Sequence, residues 1–362
     1  MQRRKFIRTA GVGAAGVAVA STVAAPAIAQ GMPEVKWRLT SSFPKSLDTL
    51  YGGSELFAKL IGEMSDNKFQ IRAFAAGEIV PGLQVADAVQ NGTVEAGQTA
   101  AYYYFGKHPN FVFETGLPFS MNQRQYYAWL EFGGGHELIN DFYKEYNFRS
   151  FTFGGTGCQM GGWFTHEVTA LEAFKGLRYR MAGPGAEVLR RLGAVVVTLP
   201  GGEIMPALRS GAIDASEWIG PWLDMAFGLH QAAGYYYYPG FHEPGLGVAV
   251  GFNKSVWESL DADDRRVMEA VAACEYARSL AEFNANNALS LRKLRDEGTV
   301  KIQKFDDSLL KAFLEIGKDV VAELGGDELS KKIYASYQQF RSSITDWNDI
   351  AERAFMNSRG LA

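Results

Sequence analysis

Residues 81–99, PGLQVADAVQNGTVEAGQT, and residues 200–218, PGGEIMPALRSGAIDASEW, align without a gap 119 residues apart. Five positions are identical: Pro81 with Pro200, Gly82 with Gly201, Ala88 with Ala207, Gly92 with Gly211, and Ala96 with Ala215. Each copy reads as a short helix, then a polar residue and a glycine that cap it in a left-handed turn (Asn91-Gly92, Ser210-Gly211). A strand follows, with an acid near its start, Glu95 or Asp214. A helix-turn-strand unit used twice predicts two related α/β lobes with a cleft between them, and ligands favour such clefts.

The flanking sequence supports this. Strand-like segments at residues 35–39, 70–74 and 94–99 alternate with helical patterns at 47–64 and 83–91. A second set follows: strands at 151–153, 162–165, 177–181, 195–199 and 213–216, with helices at 186–192 and 204–210. Strands separated by short helices predict mixed, mostly parallel sheets. The C-terminal third changes character. Residues 257–298 and 306–324 read as helices, and residues 327–359 as one helix of some thirty residues, far above the usual length of about twelve. Such a helix must be covered, either by both lobes or by a second subunit.

The chain opens with Arg3, Arg4, Lys5 and Arg8, an Ala/Val/Gly run, and Ala27-Ile28-Ala29. This reads as a cleavable export signal over residues 1–29, with Arg3-Arg4 followed by Lys5-Phe6-Ile7 like a twin-arginine leader. The G-x-G-x-x-G at residues 11–16 falls inside it, follows no strand, and is discarded as a dinucleotide site. The leader holds four basic residues and no acid, so its loss moves the formal net charge from −4 to −8. An acidic exported chain with no basic tract is a poor nucleic-acid binder. Cys158 and Cys274 are the only cysteines and read as two free, buried thiols, their spacing giving no disulfide framework. The five histidines, at 108, 136, 166, 230 and 242, show no metal-ligand spacing.

The segment LRYRMAG, residues 177–183, alternates. Leu177, Tyr179 and Met181 share one strand face, and Arg178 and Arg180 the other. Gly183-Pro184-Gly185 then breaks the chain before a short amphipathic helix. An arginine there serves either a surface salt bridge or an anion, and periodicity alone leaves both open. Glu217-Trp218, ending the second repeat, reads equally as a cleft acid or as a packed Trp beside a solvated Glu.

The leader, GLRYRMAGPGAEVLRRLGA (176–194), GGEIMPALRSGAIDASEW (201–218) and the closing helices resemble solute-binding proteins of TRAP (tripartite ATP-independent periplasmic) transporters, the DctP family. GCQMGGWF (157–164), GLRYRMAG (176–183), DASEWIGPW (214–222) and YYYYPGFHEPG (235–245) are similar to the branch that binds 2-oxo acids and related monocarboxylates with a metal ion. The resemblance implies a two-lobed α/β periplasmic binding protein with a long connecting helix, delivering a small carboxylate to TRAP membrane subunits. It also implies a homodimer in which the C-terminal helix is exchanged. Lobe 1 is then expected over residues 30–154 plus about 245–260, lobe 2 over 155–244, connecting and packing helices over 261–326, and the long helix over 327–362.

It further implies that Arg180 grips the substrate carboxylate, which a guanidinium meets with paired hydrogen bonds, while Arg178 stays structural. The start of the helix at Gly185-Ala186 adds dipole support for an anion. Glu217, the Trp218 backbone carbonyl, Gln159 and, less surely, Glu243 offer oxygens to a hard cation, Na⁺ or Ca²⁺. A 2-oxo acid chelates that ion through its carboxylate and keto oxygens. Tyr104, with Tyr103 next, is the candidate hydroxyl donor to the substrate. Phe43 and Trp163 would form an apolar wall, and Tyr235 to Tyr238 inter-lobe packing. Lactate or another 2-hydroxy acid is the near alternative. An exported metal-dependent hydrolase or lyase using Glu217 and His242 is the distant one, against which stands the absence of any nucleophile or zinc motif. A sensory binding subunit is a third class.

Overall fold

Both copies of the repeat fold as helix, left-handed glycine and strand, with Gly92 at φ 70° and Gly211 at φ 69°. The structure is a computed structural model describing residues 35–361; the expected leader over residues 1–29 lies outside the described residues. The first lobe begins with β1 (Val35–Ser41), α1 (Leu50–Met64), β2 (Phe69–Phe74), α2 (Val85–Gln90) and β3 (Ala96–Thr99). Two 3-10 segments, Ala101–Tyr104 and Pro109–Glu114, lead to α3 (Gln123–Phe132), α4 (Gly135–Tyr143) and β4 (Phe148–Gly155). The chain then crosses into the second lobe: β5 (Gly162–Phe164), β6 (Arg178–Arg180), α5 (Gly183–Arg191), β7 (Val195–Val197), α6 (Gly201–Arg209), β8 (Ala215–Ser216), α7 (Pro221–Ala226) and β9 (Tyr235–Tyr238). It returns as β10 (Gly247–Asn253) and α8 (Lys254–Ser259), runs through α9 (Ala262–Glu297), and adds β11 (Lys301–Lys304) to the second lobe. It ends with α10 (Asp307–Ala322), α11 (Glu328–Asn348), a π-helical turn Asp349–Arg353, and α12 (Ala354–Ser358).

The sheets have orders β2-β1-β3-β10-β4 and β11-β9-β5-β8-β6-β7. Their centres correspond: β1 lies parallel between β2 and β3, as β6 does between β7 and β8. In each lobe the strand that ends the repeat, β3 or β8, then pairs antiparallel with a strand that arrives from the other lobe, β10 or β5. The acid of each copy has the same task. Glu95 accepts the backbone N–H and guanidinium of Arg38, and Asp214 those of Arg178. The alternation read in residues 177–181 is realised, with Leu177, Tyr179 and Met181 all in the core packed against α5 and α10.

Three segments join the lobes: residues 156–161 between β4 and β5, residues 239–246 between β9 and β10, and α9. At 36 residues α9 extends roughly 54 Å, long enough to pack on β4 and α1 of one lobe and α7 of the other. The helix expected over 257–298 is in fact two. Asn253 caps α8, and Asp261 accepts from the N–H groups of Asp263 and Asp264 to start α9. From residue 328 one stripe of α11 packs on its own chain. Ile333 and Tyr337 are buried, Tyr337 against Phe113, Tyr126 and Trp129, and Trp129 Nε1 donates to Ser336 Oγ. The other faces of α11 are exposed or half-buried, and beyond Asn348 no described side chain is buried. The expectation of buried thiols is corrected: Cys158, in the 156–161 crossing, and Cys274, on α9, are both free and exposed. Among the described residues no helix is long and apolar enough to cross a membrane.

Candidate functional site

The strand pleat that sends Tyr179 into the core sends Arg180 the opposite way, toward the joining segments, where its side chain is fully buried. Arg180 Nε donates to the Leu199 carbonyl at 3.0 Å, Nη1 bonds the Glu217 carboxylate, and the guanidinium lies 5.3 Å over the Trp218 ring. Nη2 has no partner. The expected two-pronged grip is thus narrowed to one free edge, because Glu217 holds Nη1. Arg178, by contrast, is half-exposed and paired with Asp214.

Glu217 follows β8 directly, and its register beside Arg180 is set by the Arg180–Ser216 pairing. Oε1 meets Arg180; Oε2 is buried with no partner. Gln159 comes from the first joining segment. Its Nε2 donates to Thr156 Oγ1 at 3.0 Å, and its Oε1 is unpartnered. His242 and Glu243 come from the second. His242 Nε2 lies 3.9 Å from Glu217 Oε2 and 3.6 Å from Glu243 Oε1. Neither ring nitrogen of His242 has a hydrogen-bond partner. Among the described residues, Glu217, His242 and Glu243 form the one group of three His, Cys, Asp or Glu side chains whose ligating atoms gather within 4.8 Å.

Burial pushes the Glu217 carboxyl up to about 6, against the pull of Arg180 and His242, and Glu243 up to about 8, opposed by Arg180. Burial also pushes His242 down to about 4. It works against the charge on Arg180, yet Glu217 and the hydroxyls of Tyr103 and Tyr102 more than compensate, and the guanidinium is held charged. Each buried polar atom left unpaired costs about 1–3 kcal/mol. Here Gln159 Oε1 and Glu217 Oε2 want a positive partner and Arg180 Nη2 wants a negative one. A cation carrying an anionic ligand satisfies both demands, so the residues present fit that pair. These two oxygens, with the Glu243 carboxyl beside them, suit a hard cation.

The first lobe supplies aromatics. A 3-10 turn rotates successive side chains about 120° apart, so the three tyrosines 102–104 point three ways. The Tyr102 hydroxyl reaches Glu243 Oε1 at 3.5 Å, and Tyr103 has Arg180, Glu217 and Glu243 as its charged neighbours, burial pushing its hydroxyl up to about 12. Tyr104 turns away. Its hydroxyl lies 3.1 Å from Thr99 Oγ1 and accepts from Ala86 N at 2.9 Å inside the first lobe, so the structure does not bring it to the group. Phe43, Trp163, Trp218 and Tyr102 belong to one continuous apolar core. Trp163 stacks on Tyr236 with ring centroids 3.9 Å apart, so part of the 235–238 run packs on a predicted wall residue as well as forming β9.

Sequence reasoning missed two participants and placed a third only in another chemistry. Tyr102 was masked by its identical neighbours. His242 was named only for the hydrolase or lyase alternative, although it adjoins Glu243. Asp224 lies within α7, and no motif announced it. Its Oδ1 accepts from the N–H groups of Ile219 and Gly220, and its Oδ2 from Trp163 Nε1 and the Tyr236 hydroxyl, which fixes the turn carrying Glu217 and Trp218. The duplication also explains why there is one such group. At the place of Glu217 the first lobe has Gln98, satisfied by Ser41, Ser54 and the Leu50 carbonyl, and at the place of Arg180 it has Thr40.

Two lobes meeting over a buried polar group at their crossings define a solute-binding protein. A family model for bacterial extracellular solute-binding protein, family 7 (DctP), matches residues 40–326, and the chain belongs to that family. It is 41% identical over 360 residues to a monocarboxylate 2-oxoacid-binding periplasmic protein of Nostoc sp., covering 99% of this chain and 98% of that one. Among solved structures it resembles a TRAP transporter solute-binding protein of Bordetella bronchiseptica, a mixed-occupancy dimer with copurified calcium and picolinate in a bound active site and with an apo site (TM-score 0.89, 38% identity, covering 91% of this chain and 98% of that one). It also resembles a TRAP periplasmic solute-binding protein of Pseudoalteromonas atlantica with bound sodium and pyruvate (TM-score 0.87, 33% identity, 90% and 99%). The chain is therefore a solute-binding receptor of transport and not an enzyme.

Proposed function

We propose that this chain is the periplasmic subunit of a TRAP transporter, that it captures a 2-oxo monocarboxylate of pyruvate type together with Na⁺ or Ca²⁺, and that it passes the acid to the membrane subunits. The observation that carries the reading is the convergence of unpaired buried atoms, Arg180 Nη2 on one side and Gln159 Oε1 and Glu217 Oε2 on the other. In this reading Arg180 and Tyr103 take the substrate carboxylate. Gln159, Glu217, Glu243 and the Trp218 carbonyl take the cation, which the substrate chelates through one carboxylate oxygen and its 2-oxo oxygen. Phe43 and Trp163 shape the apolar wall. The 2-oxo acid named for the Nostoc relative supports the acid, and the sodium and pyruvate of the Pseudoalteromonas relative support its pairing with a cation. The leader-like N-terminus supports export to the periplasm.

A homodimer belongs to the same proposal. Trp347, Ile350, Phe355 and Met356 stand exposed along the last helical turns, a stripe that a second copy would cover. The dimeric Bordetella relative supports it.

Titration calorimetry tests the ligand reading with pyruvate, lactate, longer 2-oxo acids and dicarboxylates, each with Na⁺, Ca²⁺ or a chelator. Pyruvate should bind only when a cation is present, and Arg180→Met should weaken it by about 10- to 100-fold, since a charge-assisted bond is worth about 1.5–3 kcal/mol. Undiminished binding by Arg180→Met removes the anchor, and undiminished binding in chelator removes the bridge. Tighter binding of lactate than of pyruvate would make the 2-hydroxy acid the substrate.

A further inference from the structure

We propose that the cation site is not confined to oxygen ligands: Glu217, His242 and Glu243 together bind a divalent first-row ion of borderline softness, Co²⁺ or Zn²⁺, with the His242 imidazole as a direct ligand. The inference rests on the reading of this group as a cation site and extends it to a class of ion that an oxygen-only set would not favour.

The argument begins with the environment of the ring. A buried histidine normally has partners for its polar atoms, and His242, almost wholly buried, has none at either nitrogen. A neutral imidazole presents one N–H and one lone pair whichever tautomer it adopts. Nε2 faces the Glu217 and Glu243 carboxylates at 3.9 and 3.6 Å, too far for a hydrogen bond in either case. The Glu217 carboxylate, paired with Arg180, also has nothing to donate to a lone pair. A metal ion satisfies two carboxylate oxygens and an imidazole nitrogen at once.

The spacing agrees. Two ligands of a tetrahedral ion bound at about 2.1 Å stand about 3.4 Å apart, so the two His242 distances need to shrink by only a few tenths of an ångström. The ring is also held in place from behind, since its Cβ packs on Gly185 in the first turn of α5, where any added Cβ would come within 2.5 Å. Chemistry then separates the ions. Imidazole contributes strongly to Co²⁺, Ni²⁺, Cu²⁺ and Zn²⁺ and little to Na⁺ or Ca²⁺. His242 should therefore matter for one class and scarcely for the other.

The experiment uses the full chain stripped with chelator, the wild type and His242→Asn side by side, with Co²⁺ as the probe. Cobalt binding is followed by its visible absorption and calcium binding by calorimetry. X-ray absorption at the cobalt edge of the wild type reports whether an imidazole scatters at bonding distance. Expected are a bound cobalt with an imidazole ligand and a cobalt affinity lowered about 100-fold in His242→Asn, with a loss of calcium affinity at least about tenfold smaller. An equal loss for both ions makes His242 a packing residue and overturns the proposal, as does a cobalt edge without imidazole in the wild type. Calcium binding without cobalt binding overturns it while leaving the hard-cation reading standing. If neither ion binds, that reading itself has failed.

Discussion

Asp224 touches neither Arg180 nor Glu217, yet it commits both carboxylate oxygens to the segment that presents them, through Ile219, Gly220, Trp163 and Tyr236. Burial lifts its pKa from the ordinary 3.8 to about 6, with the four hydrogen bonds restraining the rise. A carboxyl whose folded pKa is raised favours folding most below its unfolded pKa, and that contribution is lost as pH climbs through the folded value. Asp224 should therefore subtract about 3 kcal/mol of stability between pH 4 and pH 6. Urea unfolding of the wild type and Asp224→Asn across that range measures it: the wild type should lose ground relative to the variant as pH rises, and parallel curves would show that the carboxyl is not perturbed. At this scale legibility followed periodicity. Alternation separated Arg178 and Arg180 from their core-facing neighbours, because a strand has only two faces. It could not sort Tyr102, Tyr103 and Tyr104, which lie in a 3-10 turn with three directions and no apolar stripe to orient them. Nor could it find Asp224, whose partners lie on two other strands and a turn.

The repeat unit was the most legible element, because its left-handed glycines and helix ends are local signals. The strands that the sequence hid are those whose pattern is uninformative. β10 is buried along its whole length, so GVAVGFN shows no alternation, and β11 is four residues at a sheet edge. What local signals cannot give is how one lobe's element meets the other's. The first turn of α5 does so at Gly183, which sits at φ 65° with the Tyr102 ring so close that an added Cβ would lie 2.5 Å from Cδ2. Tyr102 belongs to the first lobe and Gly183 to the second, so this contact is made only when the lobes are together. Gly183→Ala should impose both a left-handed penalty of about 1 kcal/mol and a clash confined to the closed arrangement. Pyruvate affinity should fall about tenfold or more by calorimetry, while the melting temperature of the ligand-free protein drops by only a few degrees. An unchanged affinity would mean that this contact is absent from the ligand-bound state.

At the scale of the whole molecule, the C-terminal helix divides into a part that holds the lobe together and a part with nothing to hold. Ile333 and Tyr337 are as buried as any core residue, the Tyr337 hydroxyl bonds Ser120, and Arg341 donates to the Phe119 carbonyl at 3.0 Å. Removing everything after residue 326 would strip these from the first lobe and confuse assembly with unfolding. Beyond Asn348 the contacts change in kind: Arg124 pairs with Glu352 at the surface at 2.5 Å, and Trp347, Ile350, Phe355 and Met356 face outward. Four large apolar side chains within ten residues are a poor surface for a solitary acidic protein and a good one for a second copy of itself. Deleting residues 349–362 should therefore leave the fold and pyruvate binding intact, since no residue of the Arg180 group is among them, and should convert a dimer to a monomer in sedimentation velocity. A dimer that survives the deletion would place the interface elsewhere, and a monomer that no longer binds pyruvate would mean that the second copy helps to hold the lobes closed.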